Sequence, residues 1–400
     1  MTSQTETIKS LADQYVMSNY GQRTIALVRG QGVHVWDADG RQYVDLLSGL
    51  GVNSLGHCHP KVVEAIQRQA EILLHVSNLY LMEPQVQLAK LLVEHSPADK
   101  VFFCNSGTEA IEAALKMVRR YSHERFGDRR HKVIALQNSF HGRTMGSLSA
   151  TGQKKYQKGF EPMLDGFIHV PVNDLSAMKN AIDPSVCAIL LEPVQGEGGI
   201  HPCQADYLRG VRELCDQHHL LLIFDEVQCG LGRAGHLFAS DEFGIEPDAI
   251  VLAKSLAGGV PIGAMLAKNE PAQVLVAGTH AATFGGNPLS CAAGVAAFSV
   301  LLNEKLPQRS KEVGGRFMAA LQGLQKKYPQ HIVEVRGRGL MIGVELTFAA
   351  SEVVAYMREE GYLVGIAGPQ VLRFLPPLIV EESLLSTVVE KLDAFLAVHK

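Results

Sequence analysis

The sequence lacks any long apolar segment. Its longest aliphatic run, around residues 220–224, is far shorter than the roughly 20 residues that a membrane-spanning helix needs. The first ten residues are polar and have neither the basic nor the apolar part of a signal peptide. The formal net charge of −4 argues against the strongly basic surface of a nucleic-acid-binding protein. These absences predict a soluble protein of the cytoplasm.

Closely spaced cysteine pairs are also absent. The seven cysteines contain no C-x-x-C spacing, which favours buried, reduced thiols over a disulfide framework. His57, Cys58 and His59 are consecutive, but adjacent side chains seldom point at one ion, and no H-E-x-x-H motif occurs. We therefore expect no metal site.

A regular alternation of strands and helices is present instead. Short apolar runs typical of buried strands alternate with helical stretches, which predicts a mainly parallel α/β sheet. The predicted strands are residues 101–104, 133–136, 167–170, 187–191, 220–224 and 249–252. A hairpin is expected at residues 32–45. The predicted division is an N-terminal segment, 1–50, that joins the small domain, a large domain, 51–290, and a small α+β domain, 291–400.

Two predicted strands end on an ionisable side chain. Asp225 follows the run at 220–224, and Lys254 follows the run at 249–252 after one alanine. A charged group in such a place is costly unless it is paired or has a function. The two residues are compatible with a buried structural salt bridge. They also fit a ligand site at the carboxyl ends of the strands, where an acid and an amine suit pyridoxal phosphate.

Two glycine-containing motifs indicate different ligands. The sequence S-G-T-E-A at 106–110 follows a strand and is typical of a helix capping box, whose free N–H groups suit a phosphate. The sequence G-L-G-R-A-G at 230–235 matches the dinucleotide fingerprint of dehydrogenases. However, D-E-V-Q intervenes between its strand and the glycines, and no clear amphipathic helix follows. A phosphate-bearing cofactor is the prediction, and dinucleotide binding is the alternative.

Together these segments resemble the class III aminotransferases that depend on pyridoxal phosphate, and within them the acetylornithine aminotransferase branch. The resemblance runs from about residue 20 to the C-terminus. It rests on S-G-T-E-A (106–110), N-S-F-H-G-R-T (138–144), E-P-V-Q-G-E-G-G (192–199), D-E-V-Q (225–228), A-K (253–254), T-F-G-G-N-P (283–288) and L-R-F (372–374). It implies the type I fold of pyridoxal-phosphate-dependent transferases, with a large, mainly parallel sheet and a smaller α+β domain.

The resemblance implies two catalytic residues. Lys254 would hold the cofactor covalently and move a proton between the substrate carbon and the cofactor. Asp225 would pair with the ring nitrogen, because a neighbouring carboxylate favours the protonated nitrogen. Gln228 would contact the ring hydroxyl, and Phe140 would stack on the ring.

The remaining cofactor contacts implied by the resemblance concern the phosphate. Ser106, Gly107 and Thr108 would form the phosphate site at the start of a helix. Thr283 of a partner subunit would complete it, which makes a homodimer part of the active site.

The substrate contacts are also implied by the resemblance. Arg143 would bind the substrate α-carboxylate, because a guanidinium binds carboxylates bidentately. Glu197 would pair with Arg373 while a neutral or basic side chain is bound, and would release it to the distal carboxylate of 2-oxoglutarate. Tyr20 and Ala282 are the other expected substrate neighbours.

Two positions depart from the acetylornithine pattern. Ala282 stands where those enzymes usually have a serine or threonine that touches the substrate. Arg23, in a loop near the expected substrate mouth, is hypothesised to face a carboxylate-bearing acyl group such as succinyl. Other positions agree with the acetylornithine pattern. These are H-V-S-N at 75–78 and Leu50, which resemble the acetylornithine branch.

The function implied is transfer of the terminal amino group of N2-acetylornithine, or a related acyl-diamine, to 2-oxoglutarate. The alternatives are succinylornithine, ornithine or 4-aminobutyrate aminotransferases, and an aminomutase of the same fold. A dehydrogenase that uses the glycines at 230–235 is the alternative from another class.

Overall fold

The computed structural model of the chain describes residues 3–21 and 23–399. Within these residues the α-helices are, in chain order, α1 (Gln4–Tyr15), α2 (Ser48–Gly51), α3 (Pro60–Ile72), α4 (Glu83–Glu94), α5 (Gly107–Phe126), α6 (Met145–Ala150), α7 (Lys154–Gln157), α8 (Leu175–Ala181), α9 (Ala205–His218), α10 (Asn269–Ala272), α11 (Pro288–Asn303), α12 (Leu306–Lys327), α13 (Ala350–Glu359) and α14 (Glu382–Val398). Short 3-10 helices occupy Ser18–Tyr20, Ala239–Glu242 and Lys254–Ala257.

The strands form one large sheet and three smaller ones. In chain order they are β1 (Leu27–Gln31), β2 (His34–Asp37), β3 (Gln42–Asp45), β4 (Lys100–Cys104), β5 (Lys132–Leu136), β6 (Phe167–Val170), β7 (Val186–Leu191), β8 (Val194–Gln195), β9 (His201–Pro202), β10 (Leu221–Asp225), β11 (Ala249–Leu252), β12 (Gly263–Ala267), β13 (Ile332–Arg338), β14 (Met341–Leu346), β15 (Tyr362–Leu363), β16 (Gly365–Ile366) and β17 (Val371–Phe374).

The largest sheet has the strand order β4-β12-β11-β10-β7-β5-β6. It contains all six strands that the sequence predicts for the large domain, and its mainly parallel character is confirmed. β12 runs antiparallel to both of its neighbours, β11 and β4. The sequence analysis did not predict β12, because its residues, G-A-M-L-A, include no β-branched or aromatic side chain.

Helices cover both faces of this sheet. Every residue of β7, β10 and β11 is buried, as expected for parallel strands that are covered on both sides. Leu221 and Ile223 pack in a core with α5, whereas Leu222 and Phe224 pack in a core with α9. This alternation follows from the two-residue period of a strand. The packing fixes the carboxyl ends of these strands side by side at one edge.

Two four-stranded sheets flank the large one. The predicted hairpin at 32–45 is confirmed as β2 and β3, which pair antiparallel. β3 also pairs in parallel with β15, so the N-terminal sheet includes a strand from the C-terminal region. The other sheet has the order β13-β14-β17-β16, and its inner side packs with α12 and α14 in the largest hydrophobic core.

The glycines at 230–235 form a turn rather than a nucleotide-binding loop. Gly232 and Gly235 have positive φ values of 90° and 95°, and the next α-helix after them in the described chain is α10. Between them, Arg233 is fully buried and donates hydrogen bonds to the Leu340 and Pro376 carbonyl oxygens. The dinucleotide alternative therefore lacks the helix on which a pyrophosphate would bind.

Among the described residues, no single helix is long and apolar enough to cross a membrane. α11 and α12, which are bent by 60° at the break between them, meet the length and composition criteria only when they are taken together.

Candidate active site

A cavity of about 440 Å³ lies where α5 begins and where β10 and β11 end. Most of the predicted site residues line it. These are Ser106, Gly107, Thr108, Phe140, Arg143, Glu197, Asp225, Gln228 and Lys254.

The start of α5 forms one wall of the cavity. The Ser106 hydroxyl accepts a hydrogen bond from the Glu109 backbone N–H at 3.3 Å, and a Glu109 carboxylate oxygen accepts one from the Asn105 N–H at 2.5 Å. The predicted helix cap is therefore present. The Glu109 carboxylate, however, bonds to Asn105, which is one residue before the cap residue Ser106. The first turn of any helix has N–H groups without intrahelical acceptors, and here those groups border the cavity.

The loop between Ser139 and Thr144 packs tightly against this helix. The Thr108 hydroxyl accepts hydrogen bonds from the backbone N–H groups of Arg143 and Thr144, both at 3.2 Å. Gly142 has a φ of 137°, and a Cβ there would lie 2.3 Å from Thr108 Oγ1. Only glycine allows this approach.

Asp225 is bound to the protein through both carboxylate oxygens. It is 4% exposed; Oδ2 lies 2.8 Å from His141 Nδ1, and Oδ1 accepts a hydrogen bond from the Val227 N–H at 3.1 Å. An ionised carboxylate only accepts hydrogen bonds, so the His141 tautomer with its proton on Nδ1 would donate to Asp225. His141 Nε2 is buried and has no partner among the described residues.

Lys254 begins the short 3-10 helix after β11 and has a left-handed backbone, with φ at 43°. Burial lowers the pKa of its amine, while the charges of Glu197 and Asp225 act in the opposite direction. Within the described residues no carboxylate oxygen lies within 4.0 Å of this amine. The direct Asp225–Lys254 salt bridge that the sequence left open is therefore not formed.

Glu197 pairs with Arg373 at the other side of the cavity. Arg373 lies on β17, is 3% exposed, and its Nη1 is 2.5 Å from Glu197 Oε1. Burial alone would raise the pKa of Glu197, but Arg373, together with Lys254 and Gln228, outweighs burial, and the pKa is lowered. Gln228 donates from Nε2 to the same oxygen of Glu197 at 3.2 Å.

A buried glutamate supports the loop that carries Phe140. Glu192 accepts hydrogen bonds from the Phe140 N–H at 2.9 Å and from the Gly196 N–H at 3.1 Å. Burial raises the pKa of this carboxyl to about 7. Its two hydrogen bonds fix the loop of Phe140 relative to the segment that leads to Glu197.

A model of the aminotransferase class-III family matches residues 15–396. The chain belongs to the class III aminotransferases. Members of this family use pyridoxal phosphate and transfer an amino group between an amino acid and a 2-oxoacid, so this enzyme is a pyridoxal-phosphate-dependent aminotransferase with substrates of those two classes.

Similar proteins support the assignment along the whole chain. The acetylornithine aminotransferase of Methanocaldococcus jannaschii is 51% identical to this aminotransferase over 385 residues, which are 96% of each chain. A structure of the ornithine aminotransferase from Toxoplasma gondii, with partial occupancy of pyridoxal phosphate at its active site, covers 98% of this chain and 94% of that one, with a TM-score of 0.94 and 37% identity. The acetylornithine aminotransferase structure from Elizabethkingia anophelis covers 99% and 100%, with a TM-score of 0.88 and 32% identity.

The residues of the cavity fit this cofactor. Gln228 Oε1 is buried and has no partner among the described residues, so it is free to accept a hydrogen bond from a ring hydroxyl. The start of α5 provides N–H donors suited to a phosphate. Asp225 provides a fixed carboxylate, and Lys254 provides an amine that forms no salt bridge with any described residue.

Apart from Arg373, which reaches the cavity only through its bond to Glu197, three predicted site residues of this aminotransferase do not line the cavity. Tyr20 is 76% exposed. Ala282 and Thr283 lie in a surface segment, where the Ala282 carbonyl accepts a hydrogen bond from Asn78 Nδ2 at 3.2 Å. Arg23 is exposed as well. A single chain therefore does not bring these residues to the cofactor site.

The sequence analysis gave no role to three residues at this site, namely His141, Tyr156 and Glu192. His141 and Glu192 belong to the family motifs quoted above. The sequence signal that could have identified them is their place in those motifs, where His141 follows Phe140 and Glu192 shortly precedes Gln195–Glu197. Tyr156 lies outside those motifs. Its proximity to Arg143 arises only from the folded loop.

Proposed function

We propose that this class III aminotransferase transfers the terminal amino group of N2-acetylornithine, or of a related acyl-diamine, to 2-oxoglutarate, giving the semialdehyde and glutamate. The observation that carries the proposal is the convergence of Lys254, Asp225 and Glu197 on one cavity, with Arg373 bound to Glu197. The 51% identical relative named acetylornithine aminotransferase supports the choice of amino donor.

In this proposal the protein fixes the cofactor and the proton positions. When bound, pyridoxal phosphate supplies an electron sink for the substrate carbon. Lys254 holds the cofactor through its amine, and after exchange with the substrate amine its Nζ accepts and returns the proton of that carbon. Asp225, oriented by His141, keeps a proton on the ring nitrogen. The lowered pKa of Lys254 makes the neutral, proton-accepting amine more accessible near neutral pH.

The same geometry supports the phosphate and ring contacts of the proposal. Gly107, Thr108 and the Ser106 cap bind the phosphate at the start of α5. Phe140 packs on the ring, and Gln228 accepts from the ring hydroxyl.

Two arginines bind the substrate carboxylates. Arg143 binds the α-carboxylate of the amino donor at the open side of the cavity. Arg373 is neutralised by Glu197 while the acyl-diamine is bound, and it binds a carboxylate of 2-oxoglutarate when Glu197 moves away. One site then accepts two substrates of different charge in alternation.

Ornithine is the second candidate for the amino donor, because the ornithine aminotransferase from Toxoplasma gondii matches the fold with a TM-score of 0.94. Succinylornithine, 4-aminobutyrate and an internal aminomutase reaction are further alternatives. The hypothesis that Arg23 selects a succinyl group remains a prediction. If this hypothesis is correct, Arg23→Ala should reduce kcat/KM for succinylornithine more than kcat/KM for acetylornithine.

A panel of half-reactions tests the proposal. Each amino donor is added alone to the purified enzyme, and loss of the visible absorption of the lysine-bound cofactor is followed. Acetylornithine should react most efficiently, and 2-oxoglutarate should restore the absorption. Lys254→Ala should lack the native absorption. A faster reaction with ornithine would favour the second candidate, and turnover without any oxoacid would favour an aminomutase.

We further infer a homodimer in which Thr283 contacts the cofactor phosphate of the partner. The segment at 282–285 is joined to residues 75–81 by the bond from Asn78 and by contact of the His75 and Phe284 rings, 5.0 Å apart. This surface exposes large apolar side chains, with Leu79 84% and Leu81 96% exposed. A second copy of the chain that covers them would bring Thr283 and Ala282 to an active site, as the family resemblance implies.

Sedimentation velocity tests the dimer. The wild type should sediment as a dimer, and Leu81→Glu should shift it toward the monomer with loss of activity. Val333→Glu, at a position 52% exposed on β13, serves as the control and should remain dimeric. An active wild-type monomer at all concentrations would refute the shared site.

The domain division and location are also proposals. We infer that residues 51–290 form the cofactor-binding domain, that residues 291–400 form the small domain, and that residues 1–50 join the latter. The parallel pairing of β3 with β15 supports that last step. We also infer that the enzyme acts in arginine metabolism and amino-acid biosynthesis, and that it does so in the cytoplasm.

A further inference from the structure

Arg143 is a cation at the cavity for which the described residues provide no counter-ion. It lines the cavity and is exposed. In the described part of the chain its guanidinium forms no salt bridge within 4.0 Å. A protein carboxylate bound to Arg143 would occupy the guanidinium N–H groups that a substrate carboxylate needs. Without such a pair, these N–H groups can bind the substrate.

Two aromatic rings take the place of a counter-ion. The Arg143 Cζ atom lies 4.1 Å from the centroid of the Tyr156 ring and 5.3 Å from that of Phe140. The two rings are nearly perpendicular, at 85°, with centroids 5.8 Å apart. The guanidinium therefore lies at the corner between them. Attraction to a ring face does not consume the in-plane N–H donors that bind a carboxylate.

Tyr156 is held firmly relative to the Phe140 loop. It lies on the short helix α7, and its N–H donates to the Gln153 carbonyl at 3.0 Å. Gln153 Nε2 in turn donates to the Asn138 and Ser139 carbonyls, both at 3.1 Å. The ring on which Arg143 rests is thus tied to the backbone just before Phe140.

We propose that Tyr156 is a positioning residue that orients the Arg143 guanidinium for the carboxylate of the amino donor. This inference rests on the proposed role of Arg143. Without the ring, the Arg143 side chain would be free to adopt several rotamers before the substrate binds. Substrate binding would then have to restrict it, and this loss of conformational entropy would weaken binding. Tyr156 acts through its ring face, because its hydroxyl makes no hydrogen bond with the described residues.

Steady-state kinetics of three single variants test the proposal. Tyr156→Leu removes the ring and should raise KM for the acyl-diamine amino donor by about three- to thirtyfold, the range that cation–π interactions provide. Tyr156→Phe keeps the ring and should stay within about twofold of wild type. Lys155→Ala removes the other cation over this ring, 4.7 Å from its centroid, and should also have little effect.

An amino donor without its carboxylate separates positioning from a structural role. The decarboxylated form of the same acyl-diamine cannot use Arg143, so its half-reaction rate should be unchanged by Tyr156→Leu. An equal loss with both donors would overturn the proposal. If the leucine variant does not fold, Tyr156→Met provides the same test, since methionine fills space without a ring face.

A double-mutant cycle with Arg143→Ala separates this inference from the proposed function. In the Arg143→Ala background, Tyr156→Leu should have no further effect on KM. If Arg143→Ala itself leaves KM unchanged, the proposed carboxylate role of Arg143 is wrong. If Arg143→Ala raises KM and Tyr156→Leu does not, only the role of Tyr156 is wrong.

Discussion

Lys254 lies where burial and charge act on its amine in opposite directions. Burial lowers its pKa, and the carboxylates of Glu197 and Asp225 limit that effect. Asp225 is in turn bound by His141 and Glu197 by Arg373. Each carboxylate near the lysine therefore has its own cationic or hydrogen-bonding partner, so the amine is not held in a salt bridge. This arrangement suits the covalent role proposed for the amine.

At the residue scale, Glu197→Gln tests the pairing with Arg373. The neutral side chain no longer competes for the guanidinium, so KM for 2-oxoglutarate should fall about two- to tenfold, while efficiency with the acyl-diamine decreases. Because the folded pKa of Glu197 is lowered, the carboxylate stays charged in the neutral range. The effect should therefore be constant between about pH 6 and 8 and shrink only as the pH falls through that lowered pKa.

The matched control for this variant is Glu242→Gln. Glu242 also pairs with an arginine, Arg338, at 3.1 Å, but outside the cavity. It should leave both KM values unchanged. An unchanged KM for 2-oxoglutarate in Glu197→Gln would contradict the exchange of carboxylates at Arg373.

At the scale of elements, the proposed cofactor site depends on the contact between the start of α5 and the loop that carries Phe140 and Arg143. Thr108 is hydrogen-bonded to Thr144 and Ser147, at 2.9 and 2.6 Å, as well as to the loop backbone. The strand-helix boundary positions the N–H donors proposed to bind the phosphate. The loop positions Phe140 and Arg143, which are proposed to contact the cofactor ring and the substrate carboxylate. Their mutual position requires the absence of a side chain at Gly142.

Gly142→Ala should disrupt this contact. Its Cβ would lie 2.3 Å from Thr108 Oγ1 and 2.6 Å from Ser147 Oγ. We expect a loss of about 2–4 kcal/mol in the free energy of unfolding and cofactor affinity at least about tenfold weaker, measured by urea denaturation and cofactor titration. Gly127→Ala, with φ at 80° and no atom within 4 Å of its Cβ, measures the backbone strain alone and should keep cofactor affinity.

We expect Glu226, in the segment after β10, to make the stability of the protein depend on pH. It is 1% exposed, accepts N–H groups of Ala239 and Ser240, and burial raises its pKa from 4.5 to about 7. The folded state therefore keeps a proton that the unfolded state loses. Stability should fall as the pH rises from about 4.5 to 7 and then level off, by an amount on the order of 3 kcal/mol.

Glu226→Gln should remove this contribution, because glutamine does not titrate. Urea denaturation at pH about 5 and 8 should show a smaller difference for the variant than for the wild type. Glu192, whose pKa is also about 7, should preserve part of the slope. Glu64→Gln, at an exposed position on α3, is the control. An unchanged slope in Glu226→Gln would show that Glu226 is ionised in the folded protein.

At the scale of the whole molecule, Arg233 connects the loop after β10 to segments that are far away in the sequence. It is fully buried, and its Nη2 donates to Ser54 Oγ at 3.2 Å, in addition to its bonds to Leu340 and Pro376. Ser54 Oγ lies 2.6 Å from Ser255 Oγ, next to Lys254. Because its acceptors are uncharged, burial lowers the pKa of Arg233 to about 9.

Arg233→Met should destabilise the whole protein. Three buried acceptors would lose a charged donor, and we expect a loss on the order of 3 kcal/mol in the free energy of unfolding, measured by urea denaturation. Arg316→Met, which removes a solvent-exposed pair with Glu382, should have little effect. Equal stability of Arg233→Met and wild type would show that the buried cation costs as much as its hydrogen bonds contribute.

Local sequence patterns were enough to predict much of the fold. The apolar runs predicted six of the seven strands in the large sheet, since central parallel strands are apolar on both faces. β12 was missed because its small residues carry no strand signal. The charged strand ends at Asp225 and Lys254 indicated the cofactor site, because a buried charge requires a reason.

By itself, the sequence determined the strand-helix alternation, the family and most of the residues that line the proposed cofactor cavity. These follow from local periodicity and from motifs that remain contiguous in the chain. Only the tertiary structure decided that Asp225 pairs with His141 rather than Lys254, that Arg233 is buried between distant segments, and that Arg143 rests on Tyr156. Such contacts depend on loop conformation and on close packing between segments far apart in sequence, which no local pattern encodes.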